Sequence, residues 1–261
     1  MTMEAKPLLL QTLPARHGWN WIKDAARLYA KAPMAWAGTV LLSFLAVALI
    51  GNIPVVGLIV ANICLPALLI GFMNGARDLA HGEKLKIAHL VSGFRMHIGT
   101  LLVLGLFYLL AYAAVLGVTA LVDGGLLLRW ILLREYPTRE VMATTEVLIS
   151  TLLAAVLFMP VMMTFCSAPA LAAWHGMSAA KSLFFSFAAT LRNTRAFVVY
   201  GLVLFVLTTV LPILLTMVLI LLLNAVTPEL LSLLYGPLFL TLIPIIFASF
   251  YTSYADVFDD H

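Results

Sequence analysis

Residues 34–75 read MAWAGTVLLSFLAVALIGNIPVVGLIVANICLPALLIGFMNG, and not one Asp, Glu, Lys, Arg or His falls among them. A hydrocarbon core of about 30 Å takes roughly 20 mainly apolar residues per spanning helix, so this stretch is long enough to cross twice. Gly51-Asn52-Ile53-Pro54 breaks it with a turn signal. The reading is two antiparallel spans, 34–53 and 55–75, joined by a very short external loop and therefore neighbours in space.

Four more apolar runs follow at 98–122, 142–165, 197–223 and 236–255. Of the 261 residues 63% are hydrophobic and 10% charged, against about 45–50% and about 25% in soluble domains. A soluble fold of this size cannot hide so much apolar surface. The expected fold class is all-α: a polytopic transmembrane helical bundle of about six spans over residues 34–256, with residues 1–33 ahead of it and a short acidic tail, 257–261, behind. The first 30 residues hold charge but no continuous apolar run, so a cleaved signal peptide is not expected. Cys64 and Cys166 lie in or beside apolar segments without metal-type spacing and read as buried small hydrophobes.

The positive-inside rule counts Lys and Arg close to span ends. Lys6, Arg16, Lys23, Arg27 and Lys31 precede the first span. Arg77, Lys84, Lys86 and Arg95 lie between the second and third, and Lys181, Arg192 and Arg195 between the fourth and fifth. Against these twelve stand three, Arg129, Arg134 and Arg139, in the connection 123–141, where Asp123, Glu135 and Glu140 roughly balance them. Both termini are expected on the cytoplasmic side.

Three segments on that side are amphipathic. In residues 18–33, Trp19, Ile22, Ala26 and Tyr29 recur at helical spacing, with Asn20, Lys23, Arg27 and Lys31 opposite. Such a helix suits the headgroup layer, where aromatic rings and cations meet anionic lipid; docking on the protein's own membrane domain is the other open reading. In 86–95, Ile87, Leu90, Val91 and Phe94 form a stripe with Lys86, His89 and Arg95 largely off it. In 178–192, Leu183, Phe184, Phe187 and Leu191 stand opposite Ser178, Ser182 and Ser186, which read as a headgroup-facing polar stripe. The expected lipid-headgroup contacts are Trp19, Trp21, Lys23, Arg27, Lys31, Lys84, Lys86, Arg95, Lys181, Arg192 and Arg195.

A weak internal repeat sets Pro66-Ala67-Leu68 against Pro169-Ala170-Leu171, Gly93-Phe94-Arg95 against Thr190-Leu191-Arg192, and Gly105 near Gly201, with the extra residues of the first copy at Gly82–Ile87. It would relate spans two and three to spans four and five in parallel, the kind of repeat some transporters show.

The chemistry is marked by absences. No ionisable residue falls in the middle of a span, whereas ion-coupled transport and proton relays usually need one. Glu146 comes nearest, about one turn inside the external end of the fourth span. His17, His81, His89, His97, His175 and His261 are scattered and read as interfacial or exposed. No catalytic string such as GxSxG, HExxH or a P-loop is present. A Ser/His pair from His175 and Ser178, Ser182 or Ser186 lacks an orienting carboxylate. Neither enzyme activity, nor a cofactor or metal, nor a nucleic-acid partner is expected. Pro160, Pro212, Pro237 and Pro244 are expected to kink their spans, and Ala113 and Gly117 have the small-xxx-small spacing of close helix packing, within the chain or between copies.

Taken together, Gly18-Trp19-x-Trp21, Pro33-x-x-Trp36, Pro66-Ala67-Leu68, Gly93-Phe94-Arg95 and Leu121-Val122-Asp123-Gly124-Gly125 resemble motifs of a family of proteobacterial six-span inner-membrane proteins of unknown function. The resemblance continues through Ala168-Pro169-Ala170-Leu171 and Trp174-His175-Gly176 to Ser182-Leu183-Phe184-Phe185-Ser186-Phe187 and Arg192-Asn193. The family is similar in outline to the membrane domain of certain glycerophosphodiester phosphodiesterases. The resemblance covers nearly the whole chain, implies a Gram-negative inner membrane and brings no catalytic residue. The expected role is a non-enzymatic accessory, assembly or lipid-organising protein at the cytoplasmic leaflet, with anionic lipids and a membrane-protein partner or second copy as candidate partners. The alternative is a passage for a small uncharged or lipid-like substrate, suggested by the proline-broken spans.

Overall fold

The computed structural model describes residues 10–53, 56–133, 135–142, 144–223 and 227–258. Lys6, Pro54, Arg134, the start of the second expected span at Val55, and Asp259, Asp260 and His261 of the acidic tail lie outside them. Within them the chain is helical, and no strand occurs among the described residues. The helices are α1 His17–Lys31, α2 Pro33–Gly51, α3 Val56–Ala80, α4 His89–Ser92, α5 Ile98–Asp123, α6 Leu126–Leu133, α7 Arg139–Met142, α8 Thr145–Phe165, α9 Ala168–His175, α10 Ala179–Arg192, α11 Thr194–Phe205, α12 Leu211–Leu223 and α13 Pro228–Val257. A 3₁₀ turn, Gly93–Arg95, follows α4, and a π-helical segment, Val206–Val210, joins α11 to α12.

Six stretches are long and apolar enough to cross a membrane: α2, α3, α5, α8 with α9 (Thr145–His175), α11 through α12 (Thr194–Leu222), and α13 (Glu229–Val257). The protein is an all-α polytopic membrane bundle. Its spans leave Leu41, Leu45, Leu49, Leu152, Val156, Met159, Leu202, Phe205 and Leu221 exposed, as expected where lipid is the solvent.

Four prolines sit within helices rather than ending them: Pro66 in α3, Pro160 in α8, Pro237 and Pro244 in α13. Pro212, one residue into α12, follows the π segment, where the backbone widens just ahead of the ring. A threonine four residues on hydrogen-bonds back to the proline carbonyl in three cases, Thr164 to Pro160 (2.7 Å), Thr216 to Pro212 (2.9 Å) and Thr241 to Pro237 (2.9 Å). The spacing keeps each hydroxyl satisfied in lipid.

The chain divides into two compact units, the first holding residues up to 46 together with 68–95 and 189–261, the second 47–67 and 96–188. In the second unit α5 packs along α8. Thr119 and Ser150 are fully buried there, the serine hydroxyl donating to the Thr119 carbonyl at 3.4 Å, while Tyr108 and Tyr112 meet Phe158 edge-on. Gly105 of α5 lies directly on α3: a Cβ built there would stand 2.1 Å from the Ile63 carbonyl oxygen. Ala113 and Gly117 have no such role within the chain, since both are exposed and Gly117 faces open space.

The connection 123–141 contains more than a loop. Asp123 accepts the N–H groups of Gly125, Leu126 and Leu127, capping α6. In α10 the expected polarity is inverted. Ser182 and Ser186 are buried, and Phe184, Phe185, Phe187 and Leu191 are exposed. For Ser186 the reason is the break between α8 and α9: its Oγ accepts the Ser167 N–H (3.0 Å) and donates to the Met163 carbonyl (3.1 Å), whereas the buried Ser182 hydroxyl has no hydrogen-bond partner among the described residues. The headgroup-facing reading of those serines is therefore corrected.

Gly105→Ala is expected to lower the melting temperature in detergent, corresponding to about 1–3 kcal/mol of overpacking. Gly117→Ala and Gly201→Ala, with nothing within 4 Å of either Cβ, should leave it unchanged or slightly raised. An unchanged Gly105→Ala melt would refute the close approach of α5 and α3.

Candidate functional site

In the first unit α1 lies across the N-terminal turns of α11 and the C-terminal turns of α13, and a set of polar contacts forms there. Gly18 lets α1 come that close, since a Cβ would meet the Ala196 carbonyl oxygen at 2.2 Å. Trp21 is the centre of the contact. Its ring is 1% exposed and lies 5.0 Å from Phe197 and 5.6 Å from Tyr200. Its indole N–H donates to Asp256 Oδ2 at 2.7 Å, and the Thr252 hydroxyl donates to its carbonyl at 2.9 Å. The same Asp256 oxygen lies 2.6 Å from His17 Nδ1. Trp21 therefore cannot touch a lipid headgroup, and that expectation is corrected.

The apolar face of α1 is Gly18, Trp21, Ile22, Ala25 and Leu28, rotated from the expected stripe. Docking on the protein's own helices accounts for this face. Trp19, Lys23 and Arg27 on the other side are exposed, Arg27 pairing with Asp24 at 2.6 Å.

Ahead of α1, residues 11–13 are clamped by Asn193, which is 1% exposed. Its Oδ1 accepts the Leu13 N–H at 2.8 Å, and its Nδ2 donates to the Gln11 and Ala189 carbonyls, both at 3.0 Å. The Gln11 N–H donates to the Val257 carbonyl at 2.9 Å, and Arg192 Nε donates to Thr12 Oγ1 at 2.6 Å. The sequence names Asn193 only as part of the Arg192-Asn193 motif and assigns it no role; a short polar residue directly after a basic helix end was the available signal.

The connection after α3 is short-helical, not one continuous amphipathic helix: one turn of α4 and a 3₁₀ turn. His89 ties it down. The Lys86 N–H donates to His89 Nδ1 at 3.0 Å, so Nε2 carries the proton and donates to Asp78 Oδ2 at 2.8 Å. Asn74 Nδ2 donates to Ser92 Oγ at 2.7 Å. With both ring nitrogens engaged, His89 works as a strut. His97, at φ 46°, is left-handed where it opens α5.

Lys23, Arg27, Lys31, Lys84, Lys86, Arg95, Arg192 and Arg195 are exposed and belong to the first unit, whereas Lys181 is exposed in the second. Lys31 is engaged as well, its Nζ donating to the Leu79 carbonyl at the end of α3 (2.9 Å). Among the described residues no three His, Cys, Asp or Glu side chains converge as metal ligands.

Six apolar crossings with a basic, helix-covered end define a multi-span membrane protein. The chain is 35% identical over 199 residues, 74% of either length, to a protein of Burkholderia thailandensis named a probable inner membrane protein, and it belongs to that inner-membrane family. No family model matches the sequence, and no solved structure matches it.

Asn193→Leu keeps the volume but leaves the Leu13 N–H and the Gln11 carbonyl without this partner, costing about 1–3 kcal/mol. Hydrogen exchange at residues 11–17 should accelerate while α5 and α8 stay protected; unchanged exchange would show that the clamp is not needed.

Proposed function

We propose that the protein is a non-enzymatic accessory or lipid-organising protein of the inner membrane, and that its basic end engages anionic lipid at the cytoplasmic leaflet. The observation that carries this is the set of exposed cations, Lys23, Arg27, Lys31, Lys84, Lys86, Arg95, Arg192 and Arg195 among them, on the unit whose α1 is pinned by Trp21 and Asp256. Juxtamembrane cations add about 1 kcal/mol each near an anionic surface. A rigidly held set loses less conformational entropy on binding lipid than a free tail. The twelve-to-three distribution of Lys and Arg supports the cytoplasmic orientation of this end.

The π segment at Val206–Val210 favours a second reading, passage of a small uncharged or lipid-like substrate along an irregular span.

The full chain, purified in mild detergent, should retain anionic phospholipid above its share of the host membrane, measured by lipid mass spectrometry. Replacing Lys23, Arg27, Lys86 and Arg195 together by Gln should abolish the enrichment while the melting temperature holds. Equal enrichment in the variant would overturn the lipid reading, and co-purification of a trapped apolar molecule instead would favour passage.

A further inference from the structure

Where α1 turns into α2, an open cleft of about 460 Å³ faces the end of α3, lined by Lys31, Ala35, Leu79, Glu83, Lys84 and Leu85 among others. Its floor is a Schellman motif. Gly82, at φ 86°, lets its N–H reach the Leu79 carbonyl (3.3 Å) and lets the Glu83 N–H reach the Asp78 carbonyl (2.8 Å). Lys31 crosses from α1 to donate to that Leu79 carbonyl at 2.9 Å, at the negative end of the α3 dipole. An ammonium has three donors, so two of those on Lys31 remain for a ligand. Lys84 brings a second cation from a connection far away in sequence, and Glu83 brings one carboxylate beside it.

The cleft also stands at interfacial depth, because Ala35 lies in the first turn of one span and Leu79 in the last turn of the next. Phosphate alone would satisfy the two lysines and leave Glu83 facing an anion. A headgroup with a phosphate and a nearby ammonium matches all three charges, and Ala35, Leu79 and Leu85 give its glycerol and acyl chains an apolar exit.

We propose that this cleft binds the phosphoethanolamine headgroup of a membrane phospholipid, with the phosphate on Lys31 and Lys84 and the ammonium on Glu83. The site rests on the lipid-facing role proposed above but is chemically separate from the diffuse anionic attraction. The test variants here share no residue with the four cations tested there.

The full-length protein in detergent is titrated with phosphatidylethanolamine, phosphatidylglycerol, phosphatidylcholine, soluble phosphoethanolamine and inorganic phosphate, binding being read by native mass spectrometry and thermal shift. Phosphatidylethanolamine should bind most tightly, with soluble phosphoethanolamine weaker for want of the apolar wall. Lys84→Gln should weaken phosphatidylethanolamine about five-fold, the size of one interfacial cation. Glu83→Gln should move the preference toward phosphatidylglycerol, and Lys181→Gln should change nothing. Lys31 also caps α3, so the decision rests on the exposed Glu83 and Lys84. Phosphatidylglycerol equal to or tighter than phosphatidylethanolamine in the unmodified protein, or an unchanged preference in Glu83→Gln, would overturn the assignment. Soluble phosphoethanolamine binding as tightly as the lipid would overturn its membrane source.

Discussion

A polar atom at membrane depth has no water to turn to, and each unsatisfied backbone group there costs several kcal/mol. This constraint explains why the chain is helical almost throughout and why its irregularities are repaired locally. The hydroxyls of Thr164, Thr216 and Thr241 each return to a proline carbonyl one turn back. The interruption between α8 and α9 is closed by a serine from α10. Polar chemistry that cannot be absorbed within one helix is displaced to the helix ends, and in the first unit it collects around α1.

At that end a small set of hydrogen bonds does what a hydrophobic core does in a soluble protein. Trp21 contributes area and one N–H, Asp256 collects the indole together with His17, and Asn193 fixes the segment ahead of them. Bonds to a charged partner are worth about 1.5–3 kcal/mol each, enough to hold a fifteen-residue helix that would be marginal alone. The cations on its outer side thereby gain a fixed geometry without being buried themselves.

Much of this was legible in the chain. Six apolar runs and a turn at Gly51-Asn52 gave the spans, because the lipid imposes a length that composition records directly. The face of α1 was not legible. Helical periodicity finds an amphipathic stripe, but Trp19 and Trp21 fit a headgroup layer and a protein groove equally well, and only Asp256, more than two hundred residues away, distinguishes them. The serines of α10 misled for a related reason: in lipid a polar stripe points inward when a broken helix needs partners, and although Ser167 and Pro169 mark the start of α9, nothing in the sequence ties that start to α10. The cap of α6 by Asp123 was readable in retrospect, since Asp-Gly-Gly before an apolar run is a helix start. The cleft beside Lys31 was not, because it depends on two cations separated by an entire hairpin.

The docking of α1 on α11 and α13 also sets an order of events. The ribosome delivers α1 before α11 and α13, so this helix has to wait through the synthesis of α2 to α12 before Trp21 can reach Asp256. Until then it travels as an unattached amphipathic segment on the membrane surface or in the care of the insertion machinery. Completion of α13 is thus the step that lets α1 dock, and a chain stopped short of it leaves the Trp21 indole without Asp256 and the apolar face of α1 without one of its two partner helices.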